Sequence, residues 1–105
     1  AALSARVGSI GDNRMGGWYS YRTAKAALNQ MIHGAAIEVA RSHPHAICAA
    51  LHPGTVATPF TEKYLGRHPA VPPEEAAANL LGVVEGLEAD DSGGFFDWQG
   101  AQVPW

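Results

Sequence analysis

The stretch YSYRTAKAALNQMIHGAAIEVARSHPHAICAALHPG, residues 19–54, decides the fold because its hydrophobic period changes halfway along. From Tyr19 to Arg41 the apolar residues Ala24, Ala27, Leu28, Met31, Ile32, Ala35 and Val39 recur three or four apart, the spacing of one helix face. Ser42-His43-Pro44 stops that pattern, since Pro44 has no N–H to continue the ladder and pushes its neighbour out of helical geometry. Ala46-Ile47-Cys48-Ala49-Ala50-Leu51 then runs unbroken and apolar, as a parallel strand covered on both faces does. His52-Pro53-Gly54 closes the run with turn residues. The stretch predicts a helix over Tyr19 to Arg41 feeding a central parallel strand over Ala46 to Leu51.

Working outward, residues 1 to 4 read as the end of a buried strand. Gly8, Gly11, Asp12, Asn13, Gly16 and Gly17 then mark a loop. On the other side, residues 55 to about 71 carry Pro59, Gly66 and Pro69 and read as a loop with one helical turn. Phe60, Tyr64 and Leu65 there suit either a pocket lining or a packed surface loop. Pro72-Pro73-Glu74-Glu75 puts proline and acids where a helix N-terminus wants them, and Leu80, Val83, Val84 and Leu87 give that helix its apolar face. Asp90-Asp91-Ser92-Gly93-Gly94 breaks it, and Phe95-Phe96-Asp97-Trp98 reads as a last short strand before a turn at Gln99-Gly100. Strand, helix, strand, helix, strand in alternation predicts an α/β fold with right-handed crossovers and a parallel sheet.

The 105 residues are 47% hydrophobic and 16% charged, enough for one core and too few for two full domains. Seven Lys and Arg face ten Asp and Glu with no basic run, which argues against nucleic acid as a partner. No apolar stretch approaches the roughly 20 residues of a membrane span, and no charged leader precedes a small-residue cleavage site. The single cysteine, Cys48, has no disulfide partner in the chain and sits in the apolar run, which fits a reducing, cytoplasmic location. Ala1-Ala2-Leu3 opens on apolar residues without a cap or turn, the expectation for a piece of a longer chain.

Tyr21 and Lys25 lie four apart at the start of the long helix, so both side chains leave one face. A free phenol has a pKa near 10, and an adjacent ammonium stabilises its phenolate, so such a pair can pass a proton near neutral pH. Alone, the pair is equally an ordinary exposed i,i+4 contact. His43 and His45 flank Pro44 without a carboxylate or cysteine to complete a metal site and read as a solvated turn.

Four stretches carry a family resemblance: residues 3–10 (LSARVGSI), 19–29 (YSYRTAKAALN), 52–58 (HPGTVAT) and 94–98 (GFFDW). In order and spacing they resemble the short-chain dehydrogenase/reductase family, most closely its carbonyl-reductase or C-factor-like branch. The resemblance spans nearly the whole chain and implies the C-terminal portion of a Rossmann-type doubly wound parallel sheet. It implies hydride transfer between NAD or NADP and a small carbonyl or alcohol substrate, with a homo-oligomer as the full-length form. Tyr21 would be the acid/base at the substrate oxygen, and Lys25 would favour its phenolate and bind the nicotinamide ribose. Tyr19 is set aside because position 23 is Thr. The family's catalytic serine position falls on Ala5 when counted back from Gly8. Either Ser4, with a shifted backbone, or Ser9, twelve residues before Tyr21, would then serve. Ala24 also replaces the serine usual before the lysine. Pro53, Gly54, Val56 and Thr58 resemble the segment along the nicotinamide. The glycine-rich phosphate loop has no counterpart among these residues, so the N-terminal dinucleotide-binding half is absent and residues 1–105 read as a catalytic and substrate portion. The competing reading is a non-catalytic remnant serving as an interaction or oligomerisation element.

Overall fold

The computed structural model describes residues 1–57 and 70–105. Three short strands, β1 (Ala2–Leu3), β2 (Ala50–His52) and β3 (Phe95–Asp97), form one parallel sheet in the order β1-β2-β3. Ala2 pairs with Ala50, and Ala50, Leu51 and His52 pair with Phe95, Phe96 and Asp97. Helix α1 (Tyr19–Ala40) joins β1 to β2, and α2 (Pro73–Gly86) lies between β2 and β3. The alternation expected from the sequence is present, with a 3₁₀ turn at Arg6–Gly8 after β1 and another at Ala89–Asp91 before β3.

Successive residues of a strand face opposite sides, and the core divides accordingly. Ala49, Leu51 and Phe96 pack with Leu80, Val83 and Leu87 on the α2 side. Ala50, Phe95 and Val103 pack with Ile32 and Trp105 on the α1 side, where the Phe95 and Trp105 rings stack at 5.5 Å. Helix, sheet and helix thus form three layers, with β2 supplying both half-cores. Pro73 opens α2 with Glu74 and Glu75 in its first turn, as the sequence predicts, because proline costs nothing where no amide partner exists.

The central strand is shorter than the apolar run suggested and ends one residue later. Ala46 to Ala49 lies outside it: Ala46 closes a turn onto the His43 carbonyl, and the Cys48 amide donates to Ser92 Oγ at 3.0 Å. Pairing begins only where β1 and β3 are both alongside, which apolarity cannot reveal. Beyond β3 the chain doubles back. Asp97 N–H donates to the Ala101 carbonyl, Val103 N–H donates to the Phe95 carbonyl at 2.8 Å, and Phe96 bridges Gln102, so the tail covers the outer edge of β3.

Candidate active site

The C-terminal ends of the three strands lie at one edge of the parallel sheet, the end where open α/β folds bind ligands, and the Arg6–Gly8 turn after β1 brings that edge to α1 at Lys25. Tyr21 and Lys25, one helical turn apart, meet there. Lys25 Nζ lies 5.8 Å from the Tyr21 ring centroid and donates to the Leu3 carbonyl at 3.2 Å, tying the helix to the end of β1. Tyr21 is 39% exposed, so part of its side chain is open to solvent. Gly8 of the 3₁₀ turn presses against this helix: a Cβ there would stand 2.8 Å from Lys25 Cβ and 2.9 Å from the Lys25 carbonyl carbon.

Both serine candidates are buried and engaged within the fold. Ser4 N–H donates to the Leu51 carbonyl, and Ser4 Oγ donates to Asn29 Oδ1 on α1. Asn29 Nδ2, also buried, finds no partner among the described residues. Ser9 Oγ donates to the Pro104 carbonyl and accepts the Asp12 amide at 3.0 Å, so it fastens the loop to the C-terminal tail.

Arg22 is a residue whose positioning work the sequence reading did not single out. Its Nε donates to the Gly17 carbonyl at 2.9 Å, and its two terminal nitrogens reach the Gly16 and Val7 carbonyls at 3.2 Å each. Gly16 and Gly17 take φ of 68° and 72°, and Trp18 follows at 49°, so this loop turns left-handed before α1 begins. Among the described residues, no side-chain hydrogen bond caps the start of α1. The arginine directly after Tyr21 instead braces the loop leading into it.

On the β2 side, Pro53 and Gly54 follow His52, and Gly54 takes φ 78° with its Cα face against Trp98, whose Cδ1 would lie 3.1 Å from a Cβ. Val56 bridges Val71 through hydrogen bonds that use the Thr55 carbonyl and the Ala57 amide. Thr58, with Phe60, Tyr64 and Leu65, lies outside the described residues.

His52 itself joins a cluster that ties the three strand ends together. The Arg6 amide donates to His52 Nδ1 at 3.1 Å. The Arg6 guanidinium sits 3.6 Å from carboxylate oxygens of both Asp12 and Asp97. Asp97 Oδ1 accepts the Gln99 and Ala101 amides at 2.9 Å. Burial first, and the Arg6 guanidinium second, push the His52 imidazole below its ordinary range against the opposing pull of Asp97. With Nδ1 accepting, the neutral ring carries its proton on Nε2.

No protein-family model matches the chain. Among curated proteins it is 40% identical over 103 residues to 1-hydroxy-2-glutathionyl-2-methyl-3-butene dehydrogenase of Rhodococcus sp. (strain AD45), covering 98% of this chain and 45% of that one. It is 36% identical over 106 residues to C-signal of Myxococcus xanthus, covering 100% and 60% respectively. The chain therefore spans about half the length of the curated relatives it matches. Among solved structures, carbonyl reductase Sniffer of D. melanogaster superposes with a TM-score of 0.85 at 29% identity, over all of this chain and 41% of that one. The NADPH-bound carbonyl reductase from chicken fatty liver gives 0.79 at 34% identity, over 100% and 43%. The parallel sheet with its flanking helices is thus a portion of a Rossmann-type fold. Over its whole length the chain is homologous to the C-terminal part of proteins of the short-chain dehydrogenase/reductase type.

Proposed function

We propose that residues 1–105 form the catalytic and substrate-facing portion of a nicotinamide-dependent oxidoreductase that interconverts a small carbonyl compound and its alcohol. In this reading the dinucleotide-binding half of the same domain is contributed by sequence outside these residues. The observation that carries it is the Tyr21–Lys25 pair, one turn apart at the strand ends, with the ammonium 5.8 Å from the phenol ring and steadied by the Leu3 carbonyl. The dehydrogenase and carbonyl reductase relatives support the reaction class, and the NADPH-bound carbonyl reductase supports a nicotinamide cofactor, NAD or NADP.

The residues present suit the nicotinamide end of such a cofactor. Lys25 offers a cation to ribose hydroxyls, and Gly54, in a conformation few other residues adopt, turns the chain sharply after β2. By the family resemblance, Pro53, Gly54 and Val56 would flank the ring. When bound, the nicotinamide supplies or accepts the hydride. Tyr21 Oη holds the proton at the substrate oxygen, donating it as the carbonyl becomes an alcohol and taking it back in the reverse direction.

Tyr21→Phe in the protein as its gene encodes it keeps the ring and removes the proton, so turnover of a carbonyl panel should fall about a hundredfold or more with NADPH binding unchanged. Full activity in that variant would reject the role. A second reading, a non-catalytic interaction element, is favoured by Ser4 and Ser9, whose hydroxyls are both spent inside the fold. Met31 and Ile37 on α1, 70% and 52% exposed, suit a subunit interface under either reading. Failure of the wild-type protein to bind NADH or NADPH would favour the second.

A further inference from the structure

His52 belongs to no step of the proposed chemistry, yet its ring is lodged between the two halves of the site. It ends β2 and directly precedes the Pro53-Gly54 turn, and its Nδ1 accepts the Arg6 amide 46 residues away in sequence. That amide opens the 3₁₀ turn Arg6–Gly8, whose Gly8 abuts the backbone of α1 at Lys25. We propose that His52 is a positioning residue: as a neutral acceptor for the Arg6 amide it seats the Arg6–Gly8 turn against Lys25, keeping the Tyr21–Lys25 pair in place relative to the Pro53-Gly54 turn. The proposal deepens the reductase reading and rests on it for its effect on turnover.

Protonation undoes the seat. A proton on Nδ1 turns the acceptor into a donor facing another donor, and it adds a second cation beside the Arg6 guanidinium. The groups that face the ring are Arg6 from the 3₁₀ turn and Asp97 from β3, with Asp12 of the following loop sharing Arg6. Arg6 opposes the proton and Asp97 favours it, while burial sides with Arg6. The seat is therefore complete near neutral pH and opens only on acidification past the folded ring's lowered value, which lies below the range of a free imidazole.

The test uses the protein as its gene encodes it. His52→Leu removes the acceptor, and His52→Asn returns an acceptor without a titrating group. The expected result is a kcat about tenfold lower for His52→Leu, with KM for the carbonyl within about twofold. His52→Asn should keep kcat within about twofold and lose the acid limb of the pH profile. Wild-type kcat and pH profile in His52→Leu, or an acid limb retained in His52→Asn, would overturn the proposal. Nitrogen-15 NMR reads the seat without turnover: the neutral ring should carry its proton on Nε2, and the Arg6 amide should shift with the His52 titration. A proton on Nδ1 at neutral pH, or an Arg6 amide indifferent to that titration, would also overturn it. If the two titrate together while the wild-type protein reduces no carbonyl, the reductase reading falls and the seat stands.

Discussion

Two glycine-to-alanine substitutions should change stability in opposite directions, for reasons that lie in the packing at the site. Gly8 is buried in the 3₁₀ turn, and a Cβ there would stand 2.8 Å from Lys25 Cβ, 2.9 Å from the Lys25 carbonyl carbon and 3.0 Å from the Ala26 amide nitrogen. Two of those three atoms are helix backbone and cannot swing aside. Ordinary contact begins near 3.4 Å, so α1 or the turn must retreat by roughly half an ångström, an overpacking cost of about 1–3 kcal/mol. Gly34 lies inside α1 with nothing within 4 Å of its added Cβ. Alanine there trims the unfolded chain's freedom without a clash and should stabilise by about 0.5–1 kcal/mol. Urea denaturation followed by far-ultraviolet circular dichroism, wild type beside both variants, measures the two differences. Because the retreat at Gly8 falls on Lys25 itself, its variant should also lose carbonyl turnover beyond its loss of folded protein. A Gly8→Ala protein as stable as wild type, or two variants that move the same way, would refute the packing argument.

Ser4→Ala should cost about 1–3 kcal/mol, since it strips the buried Asn29 carboxamide of its only donor among the described residues; equilibrium unfolding reads it. Gly54→Ala should both destabilise the fold and weaken cofactor binding, because φ 78° disfavours any Cβ and Trp98 already fills that space; calorimetric NADPH titration separates the two. Folding stability should fall on acidification. The folded His52 imidazole holds its proton less tightly than the unfolded one, so its contribution is complete above about pH 6.5 and is lost as pH drops toward the folded value. The slope should disappear in His52→Asn. The 105 residues expressed alone should show neither dehydrogenase activity nor micromolar NADH or NADPH binding, which calorimetry on the purified chain checks.

Both helices were legible in the sequence because each carries its own punctuation: three- and four-residue spacing of apolar side chains, Pro44 beyond one and Pro73 opening the other. The Tyr21–Lys25 meeting followed from helical spacing alone. Strand limits were not legible, since an apolar run such as Ala46 to Leu51 says nothing about where a neighbour begins to pair. Nor could spacing disclose contacts between a side chain and a distant backbone group. The Arg6 amide on His52 and the Arg22 guanidinium on the Gly16, Gly17 and Val7 carbonyls depend on how the chain returns to itself. The serine pair shows the same limit, because a hydroxyl's sequence position does not reveal that Asn29 or the Pro104 carbonyl will claim it.

The tail that folds back over β3 gives the sheet a direction. Residues 101 to 103 occupy the hydrogen-bonding edge of β3, while β1 pairs with β2 alone among the described residues and leaves Leu3 59% exposed. A strand that joins this sheet can therefore enter from one side, beside Ala2 and Leu3. The Leu3 carbonyl at that entrance is the one that holds Lys25. Whatever docks there arrives at the anchor of the Tyr21–Lys25 pair, so assembly of the sheet and alignment of the proposed proton donor become a single event, whereas the opposite flank is sealed from it.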